Sequence, residues 1–442
     1  MAFKLLYLRT SVLHTIQDPA KFKQLLLQWA QQFREVVFLD SNNYQQNYTS
    51  YDAVLAVDAL TSIQTDYHNA FDELNTYQQT TKDWLFGYLS YDLKNDTEAI
   101  QSTNFDGLGF PDLFFFQPKK LFLIKDNQVE LRYLNLCDDE LDSDWEEITN
   151  YELGITSLPA TDNHQSITLK QRISKDSYLE KAGKMLQHIY RGDIYEANFC
   201  MEFYAEGKTI DPLEKFVKLN AISEPPFATF FKNNKQYLLS ASPERYLKKE
   251  GRKIISQPIK GTARRSTDPA EDDALKNELL ANDKERSENI MIVDLVRNDL
   301  SRTAEKKSVH VDELCRAYSF KQVHHLISTV VSTVEAEHSP VDVIRTTFPM
   351  GSMTGAPKIS AMKIIESLEE TRRGLYSGAI GYFTPEGDFD FNVVIRSILY
   401  NAANKYVSFS VGSAITAQAI PEKEYEECLL KARAMRSVLE NT

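Results

Sequence analysis

An α+β fold is predicted from three features of the sequence. Short β-prone runs bounded by turn residues recur along the chain. Amphipathic helical stretches stand among them, and no regular strand–helix–strand alternation links the two. The 442 residues suffice for one large or two ordinary domains, and 42% of them are hydrophobic, enough for a sizeable core.

In chain order, residues 21–33 put Phe22, Leu25, Leu26, Trp29 and Phe33 on one helical face. Residues 35–40 and 53–56 read as short strands, and 84–92 as a strand interrupted by Gly87. Residues 113–116 and 120–124 are expected to form a strand pair. Between Asp138 and Asp162 the chain turns acidic and polar, which is read as a connection. It divides an N-terminal region, 1–160, from a catalytic domain, 161–442. From Ser174, a stripe of Tyr178, Ala182, Met185, Leu186 and Ile189 predicts a helix, with Gly192 as its C-terminal stop. Residues 194–200 then read as a strand with Tyr195 and Asn198 on opposite faces. No repeat, low-complexity tract or heptad run is visible.

Composition excludes several function classes. A formal charge of -13 argues against a nucleic-acid or anionic-membrane surface. Cys137, Cys200, Cys315 and Cys428 are far apart and form no CxxC pair, which fits a reducing compartment and no structural zinc. The apolar run at residues 5–8 is too short for a signal-peptide core, and no stretch approaches a membrane span. A soluble, cytoplasmic protein is expected.

The chemistry-bearing segments lie in the second half. Residues 246–255 read as a hairpin turning at Gly251, so Glu244 before it and Lys260 after it can project into one pocket. A lone Lys before Gly is ordinarily a solvated turn residue. Here Pro258 and Ile259 favour extended, partly buried backbone, where desolvation drives an amine toward its nucleophilic form. Glu285 and Glu288 share a helix face at i, i+3, ahead of an apolar run at 290–296 that implies a buried helix. Such a pair is by itself commonly a favourable N-terminal charge arrangement. Glu424 and Glu427 repeat the spacing on the last helix, with Lys431 one turn on. Four carboxylates on two helices suit a hard divalent cation such as magnesium. Residues 351–358 form a glycine-bearing turn before a helix at 359–368, but Ala356 and Pro357 break the nucleotide-binding Gly-Lys pattern. Its backbone amides can still hold a carboxylate. Arg396 is expected within a strand, where a cation needs a partner and can grip a substrate carboxylate. From spacing alone, His325 reads more readily as a satisfied core histidine.

Together these motifs resemble the chorismate-utilising enzymes, the family that contains anthranilate and aminodeoxychorismate synthases. The resemblance is dense from Ser174 onward and thinner upstream, where residues 86–92 and 111–113 look like the family's landmarks. In Pro258-Ile259-Lys260-Gly261-Thr262, the lysine is similar to the aminodeoxychorismate-forming branch, whereas the anthranilate-forming branch usually carries alanine. The resemblance implies two large, mostly antiparallel sheets packed face to face with helices outside. It further implies that Lys260 attacks C2 of chorismate while Glu244 protonates the departing C4 hydroxyl. Ammonia then attacks C4 and expels the lysine. That chemistry requires Lys260 neutral and Glu244 protonated. Glu285, Glu288, Glu424 and Glu427 would hold Mg2+. Thr354, Gly355, Tyr382, Arg396, Gly412 and Lys431 would hold the substrate, with His325 near the reacting ring.

Three departures stand out. Gly412-Ser413-Ala414 replaces a more glycine-rich run, so Ala414 must tolerate a conformation that glycine adopts in relatives. Glu196 stands where many relatives have Gln. Residues 39–41 only faintly resemble the tryptophan-feedback site of the anthranilate enzymes. No cysteine lies in a glycine-flanked nucleophile turn, so a separate glutamine amidotransferase subunit is expected to supply ammonia. The alternatives are an anthranilate-forming enzyme and a catalytically silent chorismate-binding subunit.

Overall fold

The structure, a computed structural model, describes residues 8–44, 47–150, 167–321 and 323–440. The expected boundary at 160/161 lies outside the described residues, as does most of the apolar run at 5–8. The fold is mixed α+β, and every strand pairing is antiparallel.

Two large sheets are joined by two long strands, Ala53–Thr65 and Leu113–Lys125, which pair along their whole length. Their register slips between Ala59 and Thr61, opposite Pro118 and Gln117. Proline cannot donate to a ladder, so the pair bends at this bulge and its halves enter different sheets. The residues expected as two strands, 113–116 and 120–124, are therefore one bent strand, and the short strand at 53–56 runs on to Thr65.

The first sheet continues from this pair through Glu35–Asp40, Phe227–Asn233, Gln236–Ser242, Ser397–Asn401 and Tyr406–Thr416 to Glu196–Glu206. The second continues through Leu85–Leu89, Ala379–Phe383, Phe389–Val393, Arg245–Glu250 and Lys253–Gln257 to Val323–Thr333. Strands Ile259–Arg264 and His310–Ser319 flank Val323–Thr333. Strands from both sides of 160/161 thus share both sheets.

The period of two along each strand builds the layers. Val36 and Phe38 join the core beneath one helical layer, while Val37 faces the other sheet. Both faces are covered, which is why these strands read as nearly continuous apolar runs. Across the sheet interface the Phe231 ring lies 5.3 Å from Tyr88 and 5.8 Å from Phe114. Helices Pro19–Trp29, Lys175–Arg191, Pro212–Ser223, Lys358–Leu368 and Pro421–Glu440 cover the first sheet. Ala70–Thr81, Asp283–Leu300 and Pro340–Thr347 cover the second.

Local signals fare unevenly. Helix Pro19–Trp29 starts at an Asp18 cap and stops before Phe33. Helix Lys175–Arg191 buries its whole predicted stripe and ends at Gly192 with φ 86°. Tyr195 precedes strand Glu196–Glu206 and is 68% exposed. The acidic connection begins as helix Leu141–Asn150, whose Leu141 and Ile148 join the first core. Helix Asp283–Leu300 is buried on one side only: Ile292, Val293 and Val296 face the sheet while Ile290 is exposed.

Candidate active site

Two passages of the chain between the sheets organise the site. Gln236–Ser242 lies in the first sheet and Arg245–Glu250 in the second, so residues 243–244 cross over. Residues 394–396 make the reverse passage, from Phe389–Val393 to Ser397–Asn401. The passages lie side by side. Val393 N–H donates to the Glu244 carbonyl at 3.0 Å, and Ala241 N–H to the Arg396 carbonyl at 3.1 Å. Arg396 is accordingly not within a strand: the change of direction puts it at φ 52°.

Glu244 and Arg396 are both buried enough to be driven toward neutrality. Burial pushes the Glu244 carboxyl up to about 7, against the Ser352 hydroxyl, which donates to it at 2.7 Å, and the positive charges of Lys260 and Arg396. Burial pulls Arg396 down to about 10, with Glu244 opposing. Its guanidinium donates to His325 Nε2 at 3.1 Å. His325 is buried, and burial with the Arg396 charge holds it well below its ordinary pKa. The neutral ring therefore carries its proton on Nδ1, 2.9 Å from the Thr262 hydroxyl.

Lys260 lies on Ile259–Arg264, its carbonyl held by Asn289 Nδ2 at 3.1 Å. Its ammonium is 2.9 Å from Glu196 Oε1 and 3.8 Å from Glu288 Oε2. Burial alone would lower its pKa, but Glu196 and Glu288 outweigh burial and raise it. In this state Lys260 is charged, contrary to the neutral amine expected. The second oxygen of Glu196, Oε2, is buried with no hydrogen-bond partner.

The four glutamates gather beside Lys260. Lys284 Nζ lies 3.8 Å from both Glu288 and Glu424, so the two helices meet there. Glu424 accepts from Ser413 Oγ, and Lys431 bridges Glu427 at 2.7 Å and the Gly412 carbonyl at 2.9 Å. Burial pushes Glu288 up to about 7 and also raises Glu285, to which Glu427 adds. Lys260, Lys284 and Lys431 offset part of the charge, and the remaining all-oxygen donor set fits a hard divalent cation. The set is open rather than closed. Among the described residues, the trio whose ligand atoms lie within 4.8 Å of one another is Glu335, Glu337 and His338, outside this cluster.

The wall opposite is backbone. Gly355–Ala356 pairs with Glu196–Ala197 so closely that a Cβ on Gly355 would lie 2.1 Å from the Glu196 carbonyl. A Cβ on Gly412 would lie 2.6 Å from Cys200 Sγ. The Thr354 hydroxyl is spent on the Met350 and Gly351 carbonyls, and its backbone is engaged too: its N–H donates to the Gly351 carbonyl at 3.1 Å and its carbonyl accepts from Asn198 N–H at 2.8 Å. Ala414 sits in regular strand opposite Asn198 without a positive φ, so no glycine-only conformation is demanded of it.

Tyr382 is not part of this cluster. It packs on Trp84 and Phe86 and lines a separate cavity with Asp40, Ser41, Arg245, Phe227 and Asp390. Its strand alternation turns it toward the space between the sheets. Tyr376, which the sequence did not single out, reaches the Gly412 side instead, 3.9 Å from Cys200 Sγ. Ser352, Thr262 and Lys284 were also missed, and Glu196 was noticed only as a departure. Each is a common residue whose role depends on what folds against it.

The chain matches the chorismate binding enzyme family over residues 34–437. It is 35% identical to a probable chloroplastic aminodeoxychorismate synthase of Oryza sativa subsp. japonica over 80% of this chain and 43% of that protein. It is also 35% identical to an anthranilate synthase component I-like protein of Synechocystis, over 81% and 72%. The chain thus spans less than half of the rice relative and about three quarters of the cyanobacterial one. Anthranilate synthase component I from Streptococcus pneumoniae superposes with a TM-score of 0.75 at 25% identity, covering 89% of this chain and 94% of that one. Among the described residues, no helix is long and apolar enough to cross a membrane.

Proposed function

The chain belongs to the chorismate binding enzyme family, and on that premise we propose that it converts chorismate and ammonia to 4-amino-4-deoxychorismate. The observation that carries this reading is Lys260, an amine facing the site on the same side as the carboxylate helices, with Glu244 nearby as a buried acid. Lys260 forms the bond to C2 as the C4 hydroxyl leaves with a proton from Glu244, as water. Ammonia then bonds to C4, the ring's double bonds shift back, and the lysine amine departs from C2 with the electron pair of the C2–N bond, while the Glu244 carboxylate recovers its proton from the new ammonium. A pKa near 7 keeps a substantial fraction of Glu244 protonated at neutral pH, as a general acid requires.

Glu285, Glu288, Glu424 and Glu427 would hold Mg2+, which supplies Lewis-acid anchorage for a substrate carboxylate. Arg396, held by neutral His325, supplies the fixed cation for another carboxylate, and the Gly355 and Gly412 backbones line the wall where a carboxylate would rest. Before Lys260 can attack, its ammonium must give up a proton, and the Glu196 and Glu288 carboxylates oppose that.

Ammonia is assigned to a separate amidotransferase subunit. All four cysteines are buried and their thiols are raised by burial, the reverse of an activated nucleophile. The anthranilate-forming reading has a relative at the same identity in its favour and Lys260 against it. Mass spectrometry of the product from chorismate, magnesium and ammonium separates the two. The 4-amino product is expected; anthranilate, or no turnover, sinks the proposal.

A further inference from the structure

Behind the backbone wall of the site lies a buried pair, Glu369 and Arg373, that no step above uses. Arg373 is 5% exposed and Glu369 8%, four residues apart in the non-helical segment after helix Lys358–Leu368. Arg373 Nε and Nη2 grip the carboxylate at 2.9 and 2.7 Å. Nη1 donates to the Met353 carbonyl at 2.6 Å and reaches the Ser377 hydroxyl at 3.5 Å, and Nη2 donates to the Asn198 carbonyl at 2.7 Å. Glu369 Oε1 also accepts the Cys200 N–H at 2.8 Å.

These three backbone partners belong to the two halves of the wall. Met353 precedes Thr354 and Gly355, whose segment is tied to strand Glu196–Glu206 by Asn198 N–H donating to Thr354 O at 2.8 Å. Asn198 and Cys200 stand opposite Ala414 and Gly412 in the sheet. Where the Gly355–Ala356 ladder ends, the side chains of Arg373 and Glu369 continue it along the same strand edge. We propose that Glu369–Arg373 is a positioning pair that fixes the spacing between Thr354–Gly355 and Gly412, and so the fit of the substrate carboxylate between them. The proposal rests on the reading of that wall as the chorismate cradle. A planar fork is needed, because Met353, Asn198 and Glu369 lie around one guanidinium in directions a single ammonium cannot serve at once.

A merely structural pair would lower the melting temperature and leave the folded enzyme's kinetics alone. Arg373→Lys, assayed at low temperature where circular dichroism shows native content, should raise the chorismate KM and Kd about tenfold while kcat changes less than about threefold. Glu369→Gln keeps the shape and the guanidinium, should fold if Arg373→Lys does not, and should show a smaller shift of the same kind. Hydrogen–deuterium exchange reads the coupling without ligand: peptides covering 351–357 and 410–416 should exchange faster, and Ala70–Thr81 as in wild type. Wild-type Kd and unchanged exchange in those two segments in a folded variant overturn the positioning role. A wild-type chain that binds no chorismate sinks the parent reading instead.

Discussion

Glu244 is buried and Lys260 part-buried in one site, and loss of water acts on them in the same sense, toward the neutral form. Glu244 follows it. Its close partner is a hydroxyl, and the opposing charges of Lys260 and Arg396 do not offset its burial, so the carboxyl rises to about 7. Lys260 does not follow it, because a full carboxylate charge sits 2.9 Å away on Glu196. The nearest partner, rather than depth, decides which group is ready for chemistry. On the proposed mechanism, Glu244 is the acid already poised and Lys260 the nucleophile held back.

The sharpest way to break that comparison is to remove the nucleophile. Lys260→Ala should lower 4-amino product formation by about a thousandfold, with residual product substituted at C2. Lys260→Arg should not rescue it, since guanidinium does not give up its proton. Near wild-type formation of the 4-amino product by the alanine variant would reduce Lys260 to a positioning cation.

Next in size is the carboxylate set that helps to hold Lys260 charged. Glu288→Ala or Glu427→Ala should cost about a hundredfold or more in turnover at modest magnesium, with circular dichroism unchanged. Normal activity of either variant removes that residue from the metal site.

The Glu244 side is tested through stability. Because folding raises its pKa from 4.5 to about 7, Glu244 stabilises the native chain at acid pH, and that contribution is lost as pH rises through about 7. Glu244→Gln cannot titrate, so between about pH 5 and pH 8 it should lose less stability than wild type, by about 2 kcal/mol. Parallel denaturation curves for the two proteins across that range would mean that Glu244 is not desolvated.

The smallest effect sharpens the Lys260 side. Glu196→Gln keeps the side chain's shape and removes its charge, so the Lys260 pKa should fall by about one unit. Acylation of Lys260 at about pH 8, followed by peptide mass spectrometry, should then be about tenfold faster. An unchanged rate would mean that Glu196 does not hold the ammonium.

What the sequence revealed of this site was what is local. The hairpin between Glu244 and Lys260 turns at Gly251 with φ 57°, and the two i, i+3 glutamate pairs need only helical geometry. The bent strand Leu113–Lys125 was not legible as one element, because Gln117-Pro118-Lys119 interrupts its apolar pattern. Lys120 is nonetheless buried, paired with Asp144 from helix Leu141–Asn150. The conformation of Arg396 follows from a crossing between sheets, which no window of sequence around it reports. The two tyrosines part for a similar reason: Tyr382 stands in strand Ala379–Phe383, whose pairing turns it toward the space between the sheets, whereas Tyr376 lies in the turn before that strand.

The bent pair Ala53–Thr65 and Leu113–Lys125 has a consequence for any attempt to divide the molecule. A chain cut near residue 160 leaves Phe227–Asn233 without Glu35–Asp40, and Ala379–Phe383 without Leu85–Leu89. Each orphaned strand then presents an open row of amides and carbonyls flanked by apolar side chains, a template for aggregation. The halves should behave as complementing fragments, insoluble apart and active only when refolded together. The acid and the nucleophile, though both encoded after residue 160, depend on strands encoded before it.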